Sequence, residues 1–205
     1  METNLVNKIK NITGESGLLL GKDVSERKAG IWIDKPIAAR AIVRPKDTKE
    51  VSEILALCNK NKLSVVPHGG LTGLSQAAIT KSNEIVVSTE RMIKIEDIDP
   101  VGRTLSSQSG AKLQAIQEAA ESEGMYFPLD LGARGSCTIG GNASTNAGGN
   151  KVIRYGMTRD LVLGLEAVLA DGTIISSMNS MIKNNTGYDL KQLFIGSEGT
   201  LGIIT

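Results

Sequence analysis

Residues 128–149 read PLDLGARGSCTIGGNASTNAGG, with six glycines among mostly small side chains. Glycine has no Cβ and is used where the backbone must approach another group closely. Consecutive amides and short hydroxyl side chains suit a phosphate or the polar edge of a ring. A flexible surface loop is the alternative interpretation. The segment therefore predicts a loop that contacts a ligand.

Length and composition narrow the class of protein. The chain has 205 residues, 23 of them glycine, and a formal net charge of +1. Such a length suits one large domain or two small ones. Charged residues form no basic or acidic block, which argues against a nucleic-acid partner or a polybasic membrane patch. No apolar run approaches the roughly 20 residues that a membrane-spanning helix needs.

The cysteines and the two ends of the chain suggest a compartment and a context. Cys58 and Cys137 lie far apart without metal or redox spacing, which fits a reducing compartment. The opening residues METNLVNK lack the pattern of a signal or transit peptide, so we expect a cytoplasmic protein. The final residues Ile203, Ile204 and Thr205 read as the start of a strand. We therefore expect the chain to be the N-terminal part of a longer protein.

Apolar spacing predicts alternating helices and strands. Helices are expected at 5–12, 112–123 and 189–194, and another follows Asp47 with its apolar residues at helical spacing up to Cys58; strands are expected at 39–43, 63–66, 84–88, 103–108, 161–169 and 173–176. Asp47 and Glu50 form a capping-box pattern, and Asp171-Gly172 predicts a hairpin turn. The apolar residues between positions 13 and 37 follow neither the helical nor the strand spacing. The βαβ order places loop 67–74 at the carboxyl end of a strand, where open α/β sheets bind ligands.

Glycine-rich segments recur at 67–74, 128–149 and 196–202. Neither the Rossmann nor the P-loop glycine motif is present. The amides of residues 69–73, with the Thr72 hydroxyl, can bind a diphosphate without a lysine, although a tight turn explains this short segment equally well. Three separate segments of this kind favour one extended ligand, such as a dinucleotide.

These motifs together resemble a flavoprotein family. VVPHGGLTG at 65–73 resembles the diphosphate loop of the vanillyl-alcohol oxidase / p-cresol methylhydroxylase superfamily. Six further segments resemble the D-2-hydroxyacid dehydrogenase branch of this superfamily: 128–142, 145–149, 154–156, 169–172, 185–190 and 194–205. Within this branch, the amino-acid sequences of these segments are most similar to those of D-2-hydroxyglutarate dehydrogenases. The branch also includes FAD-linked D-lactate dehydrogenases and the FAD subunit of glycolate oxidase.

The resemblance implies an α+β fold, the two-subdomain FAD-binding fold of the p-cresol methylhydroxylase type. It covers residues 38–205, divided near residue 100 into subdomains 38–100 and 101–205, with 1–37 as an N-terminal lead segment. The C-terminal substrate-binding cap domain of the family has no counterpart here. The implied activity is oxidation of a D-2-hydroxyacid to the 2-oxoacid by hydride transfer to FAD.

The resemblance also implies which residues hold FAD. They are Pro67, His68, Gly69, Gly70, Leu71, Thr72, Gly73, Leu74, Pro128, Asp130, Gly132, Thr138, Gly140, Gly141, Asn142, Ser144, Ala147, Gly148, Gly149, Gly199, Gly202, Ile203 and Ile204. Leu71 stands where some members bond the flavin to a histidine, so the FAD is expected to be noncovalent. His68 is expected to donate one hydrogen bond to the diphosphate or to be a bystander.

Two departures from the family limit the prediction. Ser75-Gln76-Ala77-Ala78 replaces a second paired glycine, which makes that loop less adaptable. The family's metal and catalytic base belong to the missing cap, so we predict neither a metal site nor a catalytic residue. Asp130 and Glu198 are expected to position backbone or cofactor. Alternatives are another member of the superfamily, or a non-catalytic flavin-binding or electron-transfer subunit completed by a partner chain.

Overall fold

The computed structural model describes residues 3–205, which form eight α-helices, one short 3-10 helix (Glu15–Gly17) and eleven strands. The helices are α1 (Thr3–Thr13), α2 (Lys22–Ser25), α3 (Thr48–Lys60), α4 (Leu113–Ser122), α5 (Ile139–Ser144), α6 (Val152–Tyr155), α7 (Thr158–Leu161) and α8 (Lys191–Phe194). The strands are β1 (Leu18–Leu19), β2 (Lys28–Gly30), β3 (Ile33–Pro36), β4 (Ala41–Val43), β5 (Val65–His68), β6 (Ile85–Ser88), β7 (Ile95–Asp99), β8 (Thr104–Ser107), β9 (Glu166–Val168), β10 (Ile174–Ser176) and β11 (Ile203–Ile204).

A four-stranded sheet with the order β1-β4-β6-β5 organises the first half of the chain. Strands β4, β6 and β5 are parallel, and β1 pairs antiparallel with β4. Helix α3 connects β4 to β5, and β6 lies between these two strands. The predicted βαβ unit is therefore confirmed, with one strand inserted into it.

Helix α3 shows how local sequence determines an element. The Asp47 carboxylate accepts the Glu50 N–H at 2.8 Å and so caps the helix. The Glu50 carboxylate accepts the N–H of Lys46 at 3.0 Å, one residue earlier than a capping box predicts. Ile54 and Cys58 are buried on the sheet-facing side of the helix. Burial raises the pKa of the Cys58 thiol to about 11, as expected for a core residue.

The segment before residue 38 takes part in the fold. Its strand β1 pairs Leu18 with Val43 and Leu19 with Ile42. Its α1 side chains Leu5 and Ile9 join the core beneath the sheet. Strands β2 and β3 form an antiparallel hairpin. We expected a boundary between a lead segment and a domain at residue 38. The sheet has no break at that boundary, because it includes β1 from the lead segment.

The second half builds a three-stranded antiparallel sheet with the order β10-β9-β11. The predicted Asp171-Gly172 turn joins β9 to β10, and Gly172 has the positive φ (92°) such a turn favours. Val168 of β9 and Ile203 of β11 pack into the same core as α3. The expected division near residue 100 falls in the turn between β7 and β8, which form a hairpin. Both domain boundaries stay predictions.

Three features of the described residues bear on function. None of the helices within residues 3–205 combines the length and apolar character needed to cross a bilayer. In the same part of the chain, no cluster of three or more His, Cys, Asp or Glu side chains is arranged to hold a metal ion. Both cysteines are buried and unpaired.

Glu90 joins two arginines beside the first sheet, and its titration should affect stability. Arg27 and Arg44 donate to its carboxylate at 2.7 and 2.9 Å. Burial raises the pKa of Glu90, but these hydrogen bonds and charges outweigh burial and hold the pKa below its ordinary 4.5. The stabilisation is therefore fully present above pH 4.5 and is lost as the pH falls through the lower pKa of the folded state.

Glu90→Gln should lower the free energy of unfolding by about 1 kcal/mol at neutral pH, since the carboxylate is partly exposed. The difference from the unchanged chain should shrink as the pH falls below 4.5. Urea unfolding over a pH series measures both effects. The control is Glu15→Gln, whose pairing with Lys10 is largely solvent-exposed and should contribute little. Equal losses for both variants would contradict the prediction.

Candidate functional site

A cavity of about 390 Å³ lies at the carboxyl ends of two parallel strands. His68 of β5 and Ser88 of β6 pair at these ends, and the next residues, Gly69 and Thr89, line the cavity. Open α/β sheets bind ligands in this position because the loops that follow neighbouring strands diverge there. The location predicted for loop 67–74 is therefore the one observed.

The three glycine-rich segments meet at this cavity. Eighteen of the predicted residues line it: Pro67, His68, Gly69, Gly70, Leu71, Thr72, Gly73, Gly132, Thr138, Gly140, Gly141, Asn142, Ser144, Ala147, Gly199, Gly202, Ile203 and Ile204. They come from parts of the chain separated by more than a hundred positions in sequence. Their convergence produces one elongated surface composed mostly of backbone and small side chains.

Several of these glycines allow the loops to pack against one another. A Cβ on Gly69 would lie 2.7 Å from the Thr138 hydroxyl, and one on Gly70 would lie 2.7 Å from the Cα of Cys137. At these two positions the missing side chain is therefore needed for contact between the loops, in addition to the predicted approach of backbone to a ligand. Gly73 and Gly132 meet nothing within 4 Å and leave open space at the cavity.

The third segment is held against the second by backbone hydrogen bonds. Gly196 and Glu198 donate their N–H groups to the carbonyls of Ala143 and Ser144 at 3.0 and 2.8 Å. Arg159 reinforces the junction by donating to the backbone carbonyls of Gln192 and Ile195. These contacts place 199–204 beside α5 and close one side of the cavity.

The polar groups at the cavity fit a ligand that offers both hydrogen-bond acceptors and hydrogen-bond donors. No backbone carbonyl within residues 3–205 accepts a hydrogen bond from the amides of residues 69–73. The Ser109 hydroxyl is buried without a partner, as is the side-chain oxygen of Asn142. Buried polar groups normally have partners. No lysine or arginine lines the cavity, so backbone donors would hold an anionic group there.

His68 is buried at the cavity wall and donates its Nε2–H to the Ala78 carbonyl at 2.9 Å. Burial lowers the pKa of His68, and the Ala78 hydrogen bond opposes that shift only in part. The neutral ring has a single N–H, and Ala78 takes it. The predicted donation to a diphosphate is therefore corrected: His68 positions the 75–78 segment, where the paired glycine of the family is missing.

Five predicted residues do not line the cavity: Leu74, Pro128, Asp130, Gly148 and Gly149. Leu74 is 75% exposed. Residues 128–130 lie along α4, where Gln117 donates to the Leu129 carbonyl. A Cβ on Gly149 would clash with the Asp130 carbonyl oxygen. Asp130 and Gly149 pack directly against each other outside the cavity, and the second segment reaches the cavity lining at Leu131.

Sequence reasoning missed twelve residues that line the cavity: Ala29, Ile33, Ser75, Gln76, Ala77, Ala78, Thr89, Ser109, Leu131, Ala133, Cys137 and Thr145. Glu198, which was expected to position backbone or cofactor, also lines the cavity. Ser109 carried a usable signal because it stands between a predicted strand and Gly110. Glu198 precedes a predicted site glycine, and its carboxylate accepts a hydrogen bond from Ser75 at 3.2 Å. Ala29 and Ile33 carried no signal, since residues 13–37 have no clear period.

Comparison with known families agrees with this geometry. Residues 39–177 match the family model described as "FAD binding domain". Because the match spans more than half of the chain, the protein belongs to this family of flavin-binding domains. The predicted cofactor, FAD, is confirmed by family membership, and the leucine at position 71 is consistent with noncovalent binding.

Curated relatives carry more particular names. A probable mitochondrial D-2-hydroxyglutarate dehydrogenase of Oryza sativa subsp. indica is 46% identical over 98% of this chain and 36% of its own length. The mitochondrial D-2-hydroxyglutarate dehydrogenase of Bos taurus is 50% identical over 82% of this chain and 31% of its own. A putative mitochondrial D-lactate dehydrogenase of Schizosaccharomyces pombe is 43% identical over 98% of this chain and 40% of its own length. These relatives carry names of the predicted D-2-hydroxyacid dehydrogenase branch, and the chain spans well under half of each relative.

Solved structures confirm the fold. An alkyldihydroxyacetonephosphate synthase superposes with a TM-score of 0.85 at 22% identity, over 100% of this chain and 42% of that one. Wild-type Phl p 4.0202, a glucose dehydrogenase, superposes with a TM-score of 0.81 at 16% identity, over 98% of this chain and 42% of that one. At these identities the likeness concerns architecture alone. The expected α+β fold of the p-cresol methylhydroxylase type is confirmed.

The expected cytoplasmic location is wrong. The relatives from Oryza sativa, Bos taurus, Arabidopsis thaliana and Schizosaccharomyces pombe are all named as mitochondrial proteins. The expectation rested on the two widely spaced cysteines and on a missing targeting pattern in the first residues. A missing pattern carries no positive information about a compartment.

Proposed function

We propose that this chain is the FAD-binding portion of a flavin-dependent dehydrogenase that oxidises a D-2-hydroxyacid to the 2-oxoacid. D-2-Hydroxyglutarate is the first candidate substrate, since proteins from several organisms with that name are 43–51% identical to this chain. D-Lactate is the second candidate, supported by the relative from Schizosaccharomyces pombe. The observation that carries the proposal is the convergence of the three glycine-rich segments on one cavity.

Each segment has a role in this proposal. Amides of residues 69–73 bind the FAD diphosphate, consistent with their lack of backbone acceptors within residues 3–205. Residues 132–147 line the middle of the dinucleotide, where the unpartnered Ser109 hydroxyl and Asn142 oxygen gain a partner. Residues 199–204 lie along the adenine end. Of the predicted residues outside the lining, Asp130 and Gly149 pack against each other and hold the second segment in place.

FAD supplies the redox chemistry of this reaction by accepting a hydride from the carbon that carries the hydroxyl. The chain's own residues bind and orient the cofactor. Buried apolar walls such as Ile203 exclude water from it. Glu198 positions the 75–78 loop through Ser75. None of these residues is proposed as the base that takes the hydroxyl proton.

Titration of the 205-residue chain with FAD tests the binding part of the proposal. Quenching of flavin fluorescence should saturate at one FAD per chain. Denaturation should release all of the flavin, because position 71 is leucine. Flavin that stays with the denatured chain would contradict noncovalent binding, and absence of saturation would contradict the proposed site.

Activity is tested on the complete gene product that contains these residues. Purified with FAD, it should reduce a dye acceptor with D-2-hydroxyglutarate, and more slowly with D-lactate or glycolate. The L-enantiomers serve as matched controls and should be inactive. Turnover of none of the D-2-hydroxyacids, by a protein with full FAD content, would reject the proposed activity and favour a flavin-binding subunit.

A further inference from the structure

The β2–β3 hairpin, residues 28–36, lies outside the family model yet contacts the proposed cofactor site. The family match begins at residue 39. Ala29 and Ile33 of the hairpin nevertheless line the cavity. The hairpin also meets loop 67–74, since the Ile31 N–H donates to the Leu71 carbonyl at 3.2 Å.

The hairpin is fixed to the first sheet on both sides. Ala29 is buried in a cluster with Ile37, Ile42 and Val86. The backbone carbonyl of Arg27, just before the hairpin, accepts the N–H of Ile37 at 2.8 Å. The Arg27 guanidinium also forms a two-point pair with Glu90. A hairpin held in this way presents the Ile31 N–H at a fixed position.

The contact determines which way one peptide group of the loop faces. Leu71 has a φ of +56°, which is uncommon for a residue with a side chain. In a planar trans peptide, the carbonyl and the following N–H point in opposite directions. Because the Leu71 carbonyl faces the hairpin, the Thr72 N–H faces away from it. That N–H has no backbone acceptor within residues 3–205, and Thr72 lines the cavity.

We propose that the 28–36 hairpin is a positioning element of the FAD site. Its Ile31 N–H holds the Leu71–Thr72 peptide so that the Thr72 amide is presented to the diphosphate. The inference rests on the proposed function, because it concerns how the chain prepares that site. It gives a role to part of a segment whose sequence showed no clear pattern.

Ile31→Pro tests the proposal because it removes this N–H and little else. Ile31 and Trp32 are the two turn residues between the paired Gly30 and Ile33, and neither has a positive φ. Proline fits the first central position of such a turn. The matched control is Ile31→Ala, which keeps the N–H and removes a side chain that is 59% exposed.

The FAD dissociation constant of Ile31→Pro should rise about tenfold, the effect of losing one well-placed hydrogen bond. Ile31→Ala should stay within about twofold of the unchanged chain, since its donor is intact. Thermal unfolding without FAD should be similar for both variants. If Ile31→Pro unfolds, a backbone ester at residue 31, introduced through a synthetic N-terminal segment, removes the same N–H. The ester should weaken FAD binding by the same factor of about ten.

Equal FAD affinity of Ile31→Pro, or of the ester, and the unchanged chain would overturn this inference alone. A chain that binds no FAD in any variant would instead overturn the proposed function together with it. Equal weakening by Ile31→Ala and Ile31→Pro would assign the effect to the side chain and also reject the role of the N–H. The two dissociation constants therefore separate these outcomes.

Discussion

Gly70→Ala is expected to weaken FAD binding about 100-fold, because a single methyl group there separates two of the three segments that build the cavity. A Cβ at this position would overlap the Ser136 carbonyl oxygen and lie 2.7 Å from the Cα of Cys137. Both neighbours are backbone, so neither can rotate away. Such overpacking typically costs about 1–3 kcal/mol, and about 2.7 kcal/mol corresponds to 100-fold in affinity.

Gly73→Ala is the matched control in the same loop. Its new Cβ would meet nothing within 4 Å, and Gly73 has no positive φ. The free energy of unfolding of the FAD-free chain should therefore change by well under about 1 kcal/mol, because no neighbouring group has to move. Fluorescence titration of both variants, with urea unfolding of the FAD-free chains, measures the pair. Similar free energies of unfolding for the two FAD-free variants would show that contact between loops does not shape the site.

Elements with strong local signals could be predicted from the sequence. Helix α3 follows from its Asp47 cap and from apolar residues at helical spacing, and the β9–β10 turn follows from Asp171-Gly172. In both cases, residues close in sequence make the deciding contacts. Prediction needed no knowledge of distant parts of the chain.

Helix α5 shows why part of the site could not be predicted. Its sequence IGGNAS is poor in helix-forming residues. The helix forms because Thr138 caps it and because Gly140 packs directly on Ser109, with the Gly140 N–H donating to the Ser109 carbonyl at 2.8 Å. Ser109 lies some thirty positions earlier in the chain. Contacts of this kind leave no periodic pattern in the segment itself.

The candidate site was predicted as a set of segments but not as a set of contacts. The sequence indicated that loops 67–74, 128–149 and 196–204 serve one ligand. It could not distinguish glycines that face open space at the cavity, such as Gly132, from those that face another loop, such as Gly70. Both kinds satisfy the same requirement for a missing Cβ. Only the arrangement in space separates them.

Gly199→Ala is expected to cost about 2–4 kcal/mol of stability, since two separate penalties combine at this residue. Gly199 has a φ of +78°, which a residue with a side chain adopts at a cost. A Cβ would also overlap the ring of Pro67, which is part of β5 and lines the cavity. The new methyl group should push the third segment away from the first and reduce FAD affinity at least tenfold.

Gly187→Ala separates the two penalties. Gly187 has nearly the same φ, +75°, but a Cβ there would meet nothing within 4 Å. Only the conformational penalty of about 1–2 kcal/mol should remain, and FAD affinity should be unchanged. Urea unfolding and FAD titration of both variants test this difference. If Gly187→Ala lowers FAD affinity as much as Gly199→Ala, contact with Pro67 is not what joins the first and third segments. If only Gly199→Ala does so, the closure of the cavity depends on that one contact between a glycine and a proline ring.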